Sequence, residues 1–333
     1  MRINTNPSKG TKVSLTEKYI HRIVIPLYIP NFEGYFSQSL EVFKLCLSSL
    51  QKTIHKKTAI TIINNGSCNG VVDFLNDKFK NGVIQELVHT GSIGKINALL
   101  KVLKTVEEEL ITISDSDIFF LNGWQDETVN IFSTFPKSGV VGLIPQLNLY
   151  TSLSYNLLFD NLTSNNLMFK KFVNMKALER FYQSIGWDFK SMDFFKTNLV
   201  IKSKKGKVAI VGSGHAVATY KNEVFRFIPN ENCKYKLGGT YIRTFLDEPV
   251  LKTGGWRLTT EDNYAYHMGN TYENWMSLEI KSLNNESNRK IPKYNFNLLK
   301  ISKMNYMIKN KLFKKLISNK KIINFYLSLK SLK

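Results

Sequence analysis

Four short apolar runs separated by segments of helical period constrain this chain more than any other feature. HRIVIPLYI (21–29), TAITIIN (58–64), GVIQELVH (82–89) and LITIS (110–114) have the length and the β-branched content of buried strands. Between the first two, SQSLEVFKLCLSSLQKTI sets Leu40, Phe43, Leu47 and Leu50 on one helical face, and VVDFLNDKFK and GKINALLKVLKTVEE suit two further helices. Pro30 and the NNGS turn close the first two strands. Alternation of this kind, with no hairpin signal, predicts an α/β fold: a mostly parallel sheet with helices on both faces. Ligands of such sheets gather beyond the carboxyl ends of the strands. Asn64-Asn65-Gly66-Ser67 and Asp115-Ser116-Asp117 stand at two of those ends.

The remainder divides by composition. Residues 1–20 read as a polar arm and 21–150 as the first half of the domain. Residues 151–205, with LERFYQSIGWDFKSMDFF, read as a mostly helical insert, and 206–272 as a second half opening on KVAIVGSGHAVATY. Residues 273–333 form a basic tail. From Ser287 onward it holds 13 Lys or Arg and no acid, leaving about +7 of the +20 net charge to the other 286 residues. Ile301, Met304, Ile308, Leu312 and Leu316 fall on one stripe of that tail with lysines around it. Two readings stand: a helix packed on the domain, or an anchor for an anionic membrane surface. No nucleic-acid partner is expected.

The content of 43% hydrophobic and 12% aromatic residues suits a globular domain, and no apolar run reaches the ~20 residues of a membrane span. The first 20 residues lack the apolar core of a secretory signal. Cys46, Cys68 and Cys233 are odd in number and form no CxxC pair, so neither a disulfide framework nor a structural zinc site is expected. A reducing cytoplasm fits best.

Two motifs fall short. GSIGK (91–95) has too short a gap for a P-loop, and Ile96 replaces the required Ser or Thr. VAIVGSGHAVA (208–218) has Gly212-x-Gly214 but no third glycine and no acid closing a following strand. A tight strand-end turn that lets a ligand approach the backbone is the better reading. The acidic doublet is stronger. Alternate positions on an extended backbone project to one side, so Asp115 and Asp117 could approach one hard cation, Mg2+ or Mn2+, or its waters. A metal there would neutralise charge on a leaving diphosphate.

IVIPLYI, ITIINNGSCNG, TGSIGKINALLKVLKT and LITISDSDIFFLNGW, in this order and spacing, resemble the nucleotide-sugar-binding half of family 2 glycosyltransferases. The likeness covers residues 21 to about 145 well and 206–272 loosely; the insert and tail lie outside it. It implies a GT-A type, Rossmann-like fold and transfer, with inversion, of a sugar from a nucleotide diphosphate donor to a hydroxyl acceptor in glycan or polysaccharide synthesis. It also implies site roles. Pro26 to Tyr28 would flank the nucleotide base, and Asn64-Asn65 would stand where the family usually has an acid. Gly94, Lys95 and Asn97 would pass near base and ribose, although Lys95 reads equally as a solvated lysine starting a helix. Asp115, with Ser116 beside it, would meet the ribose or metal-bound waters, and Asp117 the metal.

The second half would supply the base that takes the acceptor's proton. FLDEPVLKTGGWRLTTEDNYAYHMGN offers Asp247-Glu248, which precedes a glycine turn as the family's base does and is preferred, and Glu261-Asp262 as the alternative. His267 would then bind metal or diphosphate. Trp124, Trp256 and His215 could line an acceptor sugar, with core packing an equal rival for both tryptophans. A lipid-linked acceptor would put the enzyme at the inner membrane face. A catalytically silent carbohydrate- or nucleotide-binding protein of the same fold is the rival.

Overall fold

A computed structural model of the chain describes residues 4–11, 19–189, 197–237, 240–287, 289 and 302–329. The four apolar runs are strands β1 (His21–Leu27), β2 (Thr58–Asn65), β3 (Glu86–Thr90) and β4 (Leu110–Ser114), separated by helices α1 (Ser39–Thr53), α2 (Asn69–Lys80) and α3 (Lys95–Leu103). Then follow β5 (Ile118–Phe120), α4 (Trp124–Thr134), β6 (Ser138–Gly142), α5 (Tyr155–Asp160), β7 (Leu167–Lys171), α6 (Met175–Ser184) and β8 (Thr197–Lys202). The second half holds β9 (Val208–Val211), β10 (Val217–Lys221), α7 (Glu248–Lys252), β11 (Trp256–Thr260), β12 (Ala265–His267) and α8 (Asn274–Ser282). The tail is α9 (Lys303–Met307), α10 (Phe313–Ile317) and α11 (Lys320–Leu329), with a π-helical turn over Ile308–Leu312.

Among the described residues ten strands form one sheet in the order β3-β2-β1-β4-β10-β6-β11-β9-β8-β7. β1 pairs parallel with β2 and β4, β2 with β3, and β6 with β11. β10 enters antiparallel between β4 and β6. The carboxyl ends of β1, β2, β4, β6 and β11 therefore share one edge. Alternation along the strands explains the two covered faces. Ile23, Ile25 and Leu27 pack with Phe43, Leu47 and Leu50 of α1, while Val24, Ile111 and Ile113 pack with Ile96, Leu99 and Val102 of α3. Each fully buried branched side chain contributes about 1.5–3 kcal/mol of transfer free energy.

Beyond β6 the expected parallel pattern gives way. β9 runs antiparallel to β11, β8 to β9, and β7 to β8. The hairpin joining β8 to β9 turns at 203–207, where Ser203 N–H donates to the Lys207 carbonyl and Gly206 takes φ +89°. KSKKGK carries that signal, hidden in a lysine-rich stretch. Among its described residues the insert thus holds two helices and two strands where a mostly helical segment was expected, and β7 and β8 extend the sheet edge.

The tail also differs. Ile301 lies outside the described residues; Met304, Leu312 and Leu316 are 56–69% exposed and Ile308 36%. Ile317, Tyr326 and Leu327 are buried instead, and Phe159 of α5 meets Phe313 edge-on. The wider π-helical turn shifts the register of the docked face, and an ion pair from Lys309 to Asp160 fixes it.

Candidate active site

β4 ends at Ser114, but its ladder continues for one bond: Asp115 N–H donates to the Ala216 carbonyl, 2.8 Å, just before β10. The backbone then turns at Ser116 and leaves the main sheet as β5, which pairs with β12 so that Ile118 faces His267. The chain is not extended through the doublet, and the two carboxylates take different partners. Asp115 forms an ion pair with Lys95 at the start of α3. Asp117 instead has its Oδ2 3.3 Å from His267 Nε2. Met268 N–H donates to the Asp117 carbonyl, 2.8 Å, and locks this arrangement.

Asp117 is the least satisfied acid of the site. Its Oδ1 is buried and has no hydrogen-bond partner. Burial pushes its carboxyl above the usual value and the Asp115 charge adds to this, while His267 works against both. The other ring nitrogen of His267, Nδ1, lies 2.9 Å from Ser184 Oγ on α6. That contact turns Nε2 toward Asp117. An orphaned carboxylate oxygen beside an oriented imidazole nitrogen fits a divalent cation with substrate oxygens completing its shell. Among the described residues no three His, Cys, Asp or Glu side chains cluster as a ready-made cage. A cation there would depend on its ligand for coordination.

Both acids line a cleft of about 410 Å3 at the carboxyl edge, together with Pro26, Tyr28, Asn65, Gly94, Lys95 and Ser116. Tyr28, Tyr35 and Phe36 make an aromatic wall; Tyr28 is 38% and Tyr35 69% exposed. Tyr35, Phe36, Lys236 and Asn270 were not read from the sequence, although GYF after the first strand held a usable glycine-aromatic signal. Gly94 is required by a close approach: it has φ +90°, and a Cβ there would come within 2.7 Å of Lys236 Cα.

Two predicted contacts lie outside the cleft. Asn97 spends its amide on backbone groups, donating to the Cys233 carbonyl at 2.9 Å and the Ile93 carbonyl at 2.8 Å and accepting from the Cys233 N–H at 2.8 Å, so it anchors the 233–237 loop. Asn64 is buried; its Oδ1 accepts from Ser67 N–H, 2.9 Å, and its Nδ2 meets His89, 3.0 Å. It shapes the turn that presents Asn65.

None of the acids offered by the second half lines that cleft. Asp247 is buried at the start of α7, with Oδ1 2.9 Å from Arg257 Nη2 and Oδ2 2.7 Å from His215 Nε2. Glu248 is partly exposed, 3.5 Å from Arg243 Nε. Asp262 is exposed and accepts from the Asn263 N–H, while Glu261 pairs with Lys170. Gly212 is needed because the Leu149 backbone sits where its Cβ would be, while the Gln146 amide packs against Gly214. The backbone is approached there by the chain's own 146–149 loop rather than by a ligand. Trp124 is fully buried, and Trp256 donates Nε1–H to Asp160, 2.9 Å, at the opposite edge of the sheet. Neither lines the cleft, and core packing explains both. The three cysteines are free thiols.

Comparison with solved structures gives weak overall similarity. The chain resembles mannosyltransferase PcManGT from Pyrobaculum calidifontis in complex with GDP-Man and Mn2+, at 13% identity and TM-score 0.42, over 76% of this chain and 58% of that one. It resembles S. aureus TarS 1-349 in complex with UDP-GlcNAc at 12% identity and TM-score 0.43, covering 79% and 60%. It resembles GalNAc-T7 with UDP, GalNAc and Mn2+ at 12% identity and TM-score 0.43, covering 76% and 44%. The chain thus spans roughly half to three fifths of the length of these proteins. No curated protein sequence matches it. Residues 29–190, which carry Tyr35 and Phe36 of the cleft wall, both aspartates of the doublet and the serine behind His267, match the model of glycosyl transferase family 2.

Proposed function

We propose that the chain is an inverting, metal-dependent glycosyltransferase that moves a sugar from a nucleotide diphosphate donor to a hydroxyl acceptor. The observation that carries this reading is the buried, unpartnered Oδ1 of Asp117, a residue that lines the cleft and lies in the segment matching the family 2 model. Asp117 and His267 would hold Mn2+ or Mg2+, and the bound ion would neutralise charge growing on the leaving diphosphate. Lys95 adds a fixed positive charge at the amino end of α3, where anions are also favoured by the helix dipole. Tyr28 and Tyr35 offer faces on which a nucleobase can stack. The base that takes the acceptor proton belongs to the second half, with the Asp247 cluster preferred over Glu248 and Asp262.

A thermal-shift screen of nucleotide sugars with and without Mn2+ tests this. A donor that raises Tm only when the metal is present, and that is then consumed with a sugar acceptor, supports the reading. Binding without turnover across a broad acceptor panel would favour a silent nucleotide-binding protein instead.

The acceptor in this reading is a glycan or lipid-linked glycan, and the tail rests on an anionic membrane surface. Met304, Met307, Leu312 and Leu316 are exposed with Lys303, Lys311, Lys314 and Lys315 among them, the composition of a helix that lies in a lipid interface. Among the described residues no helix is long and apolar enough to cross a membrane.

A further inference from the structure

The preferred carboxylate of the second half is badly placed to meet a hydroxyl itself. The Asp247 side chain is only 4% exposed, and both of its oxygens face cationic or donor groups, Arg257 and His215. The His215 side chain is 36% exposed, so it is the member of the cluster that an acceptor can reach. An ion-paired carboxylate only accepts hydrogen bonds, so Nε2 of His215 carries the hydrogen and Nδ1 keeps its lone pair. Among the described residues Nδ1 makes no hydrogen bond.

The backbone brings this imidazole to the acidic doublet. Val217 pairs with Ser114, and the next bond joins Ala216 to Asp115, which sets His215 across from the turn at Ser116. Arg257 holds both members of the pair. One nitrogen, Nη2, contacts Asp247 and also donates to the Ser213 carbonyl at 2.6 Å, while Nη1 donates to the Ser152 carbonyl at 3.2 Å. The loop that carries His215 is further fixed where Gly212 and Gly214 pack against Leu149 and Gln146. The charged groups around the imidazole are thus Asp247 from the start of α7, Arg257 from β11, and the Lys95–Asp115 pair across the ladder.

We propose that His215 is the catalytic base of the transfer and that Asp247 is its positioning residue; this rests on the glycosyltransferase reading above. The acceptor O–H proton passes to His215 Nδ1 as the oxygen bonds to the anomeric carbon. The bond from that carbon to the diphosphate oxygen breaks, and the diphosphate leaves with the electron pair. Asp247 stabilises the imidazolium that results, Arg257 holds Asp247 in place, and the proton goes to water as product leaves.

The test compares wild type, His215→Ala and Asp247→Asn with the donor found by the screen. His215→Ala is expected to lower kcat by about 10²–10⁴-fold with donor KM and uridine or guanosine diphosphate binding little changed. Added imidazole restores part of the rate, and the acid limb of the wild-type pH profile disappears. Asp247→Asn keeps the imidazole but loses its orientation, so it lowers kcat and shifts that limb to lower pH. Turnover of His215→Ala within a few-fold of wild type, with the acid limb intact, would overturn the assignment and return the base to a carboxylate. A wild-type chain that transfers no sugar from any donor would instead overturn the glycosyltransferase reading, and the base assignment with it.

Discussion

Asp117 and Asp160 lie at opposite edges of one sheet and show what each edge is for. Around Asp160, Lys309 meets Oδ1 while Lys137 and the Trp256 indole meet Oδ2. Burial alone would push its carboxyl up, yet those hydrogen bonds outweigh it and hold it below the usual value. Around Asp117 burial dominates, one oxygen is unpaired and the carboxyl is pushed up. An acid whose oxygens are all engaged stabilises the fold. One left short of partners is poised to bind, at a cost in stability.

The sharpest way to break this contrast is to remove each charge. Asp117→Asn should lower transfer by on the order of 10³-fold while leaving Tm unchanged or higher, as steady-state kinetics and calorimetry will show. Asp160→Asn should do the reverse, costing about 2 kcal/mol of stability with nucleotide binding intact. Loss of stability in the first variant, or of binding in the second, would erase the distinction between the edges.

The pH dependence sharpens it. A carboxyl held low in the fold stabilises above its unfolded value near 3.8, and that contribution is lost as pH falls through the folded value. A carboxyl held high costs stability as pH rises above about 3.8 toward its folded value. Denaturant titrations between pH 3 and 7 should therefore show Asp160→Asn losing less on acidification than wild type, and Asp117→Asn gaining most at neutral pH.

Smaller effects test the surroundings of each edge. Ser184→Ala should weaken Mn2+ binding, measured by electron paramagnetic resonance with nucleotide diphosphate present, by about 10–100-fold, and Ser184→Thr should restore it. Least of all, Leu312→Glu with Leu316→Glu should leave turnover in solution unchanged while abolishing sedimentation with anionic vesicles. Full retention on vesicles would remove the membrane role of the tail.

Residues 21–114 were legible because each strand and helix announces itself within a dozen positions. Asp117 and His267, which their order in the series assigned to one metal, do lie side by side. What escaped is contact between distant residues that carry no local pattern. Ser184 reaches His267 over 83 positions and His215 reaches Asp247 over 32. The turn at Ser116 sends neighbouring acids to different partners, which a two-residue period cannot foresee. The β7–β8 edge was missed because aromatic spacing in the insert imitates a helix.

The short ladder between β5 and β12 is what brings residue 117 to residue 267. On the proposed reading, a nascent chain emerging from the ribosome can assemble β1 to β4 early, yet would have no grip on a metal until β12 arrives and closes that ladder. On that reading, partially synthesised or truncated molecules would be kept from wasting activated sugar, and metal affinity would gauge whether the last part of the domain has folded.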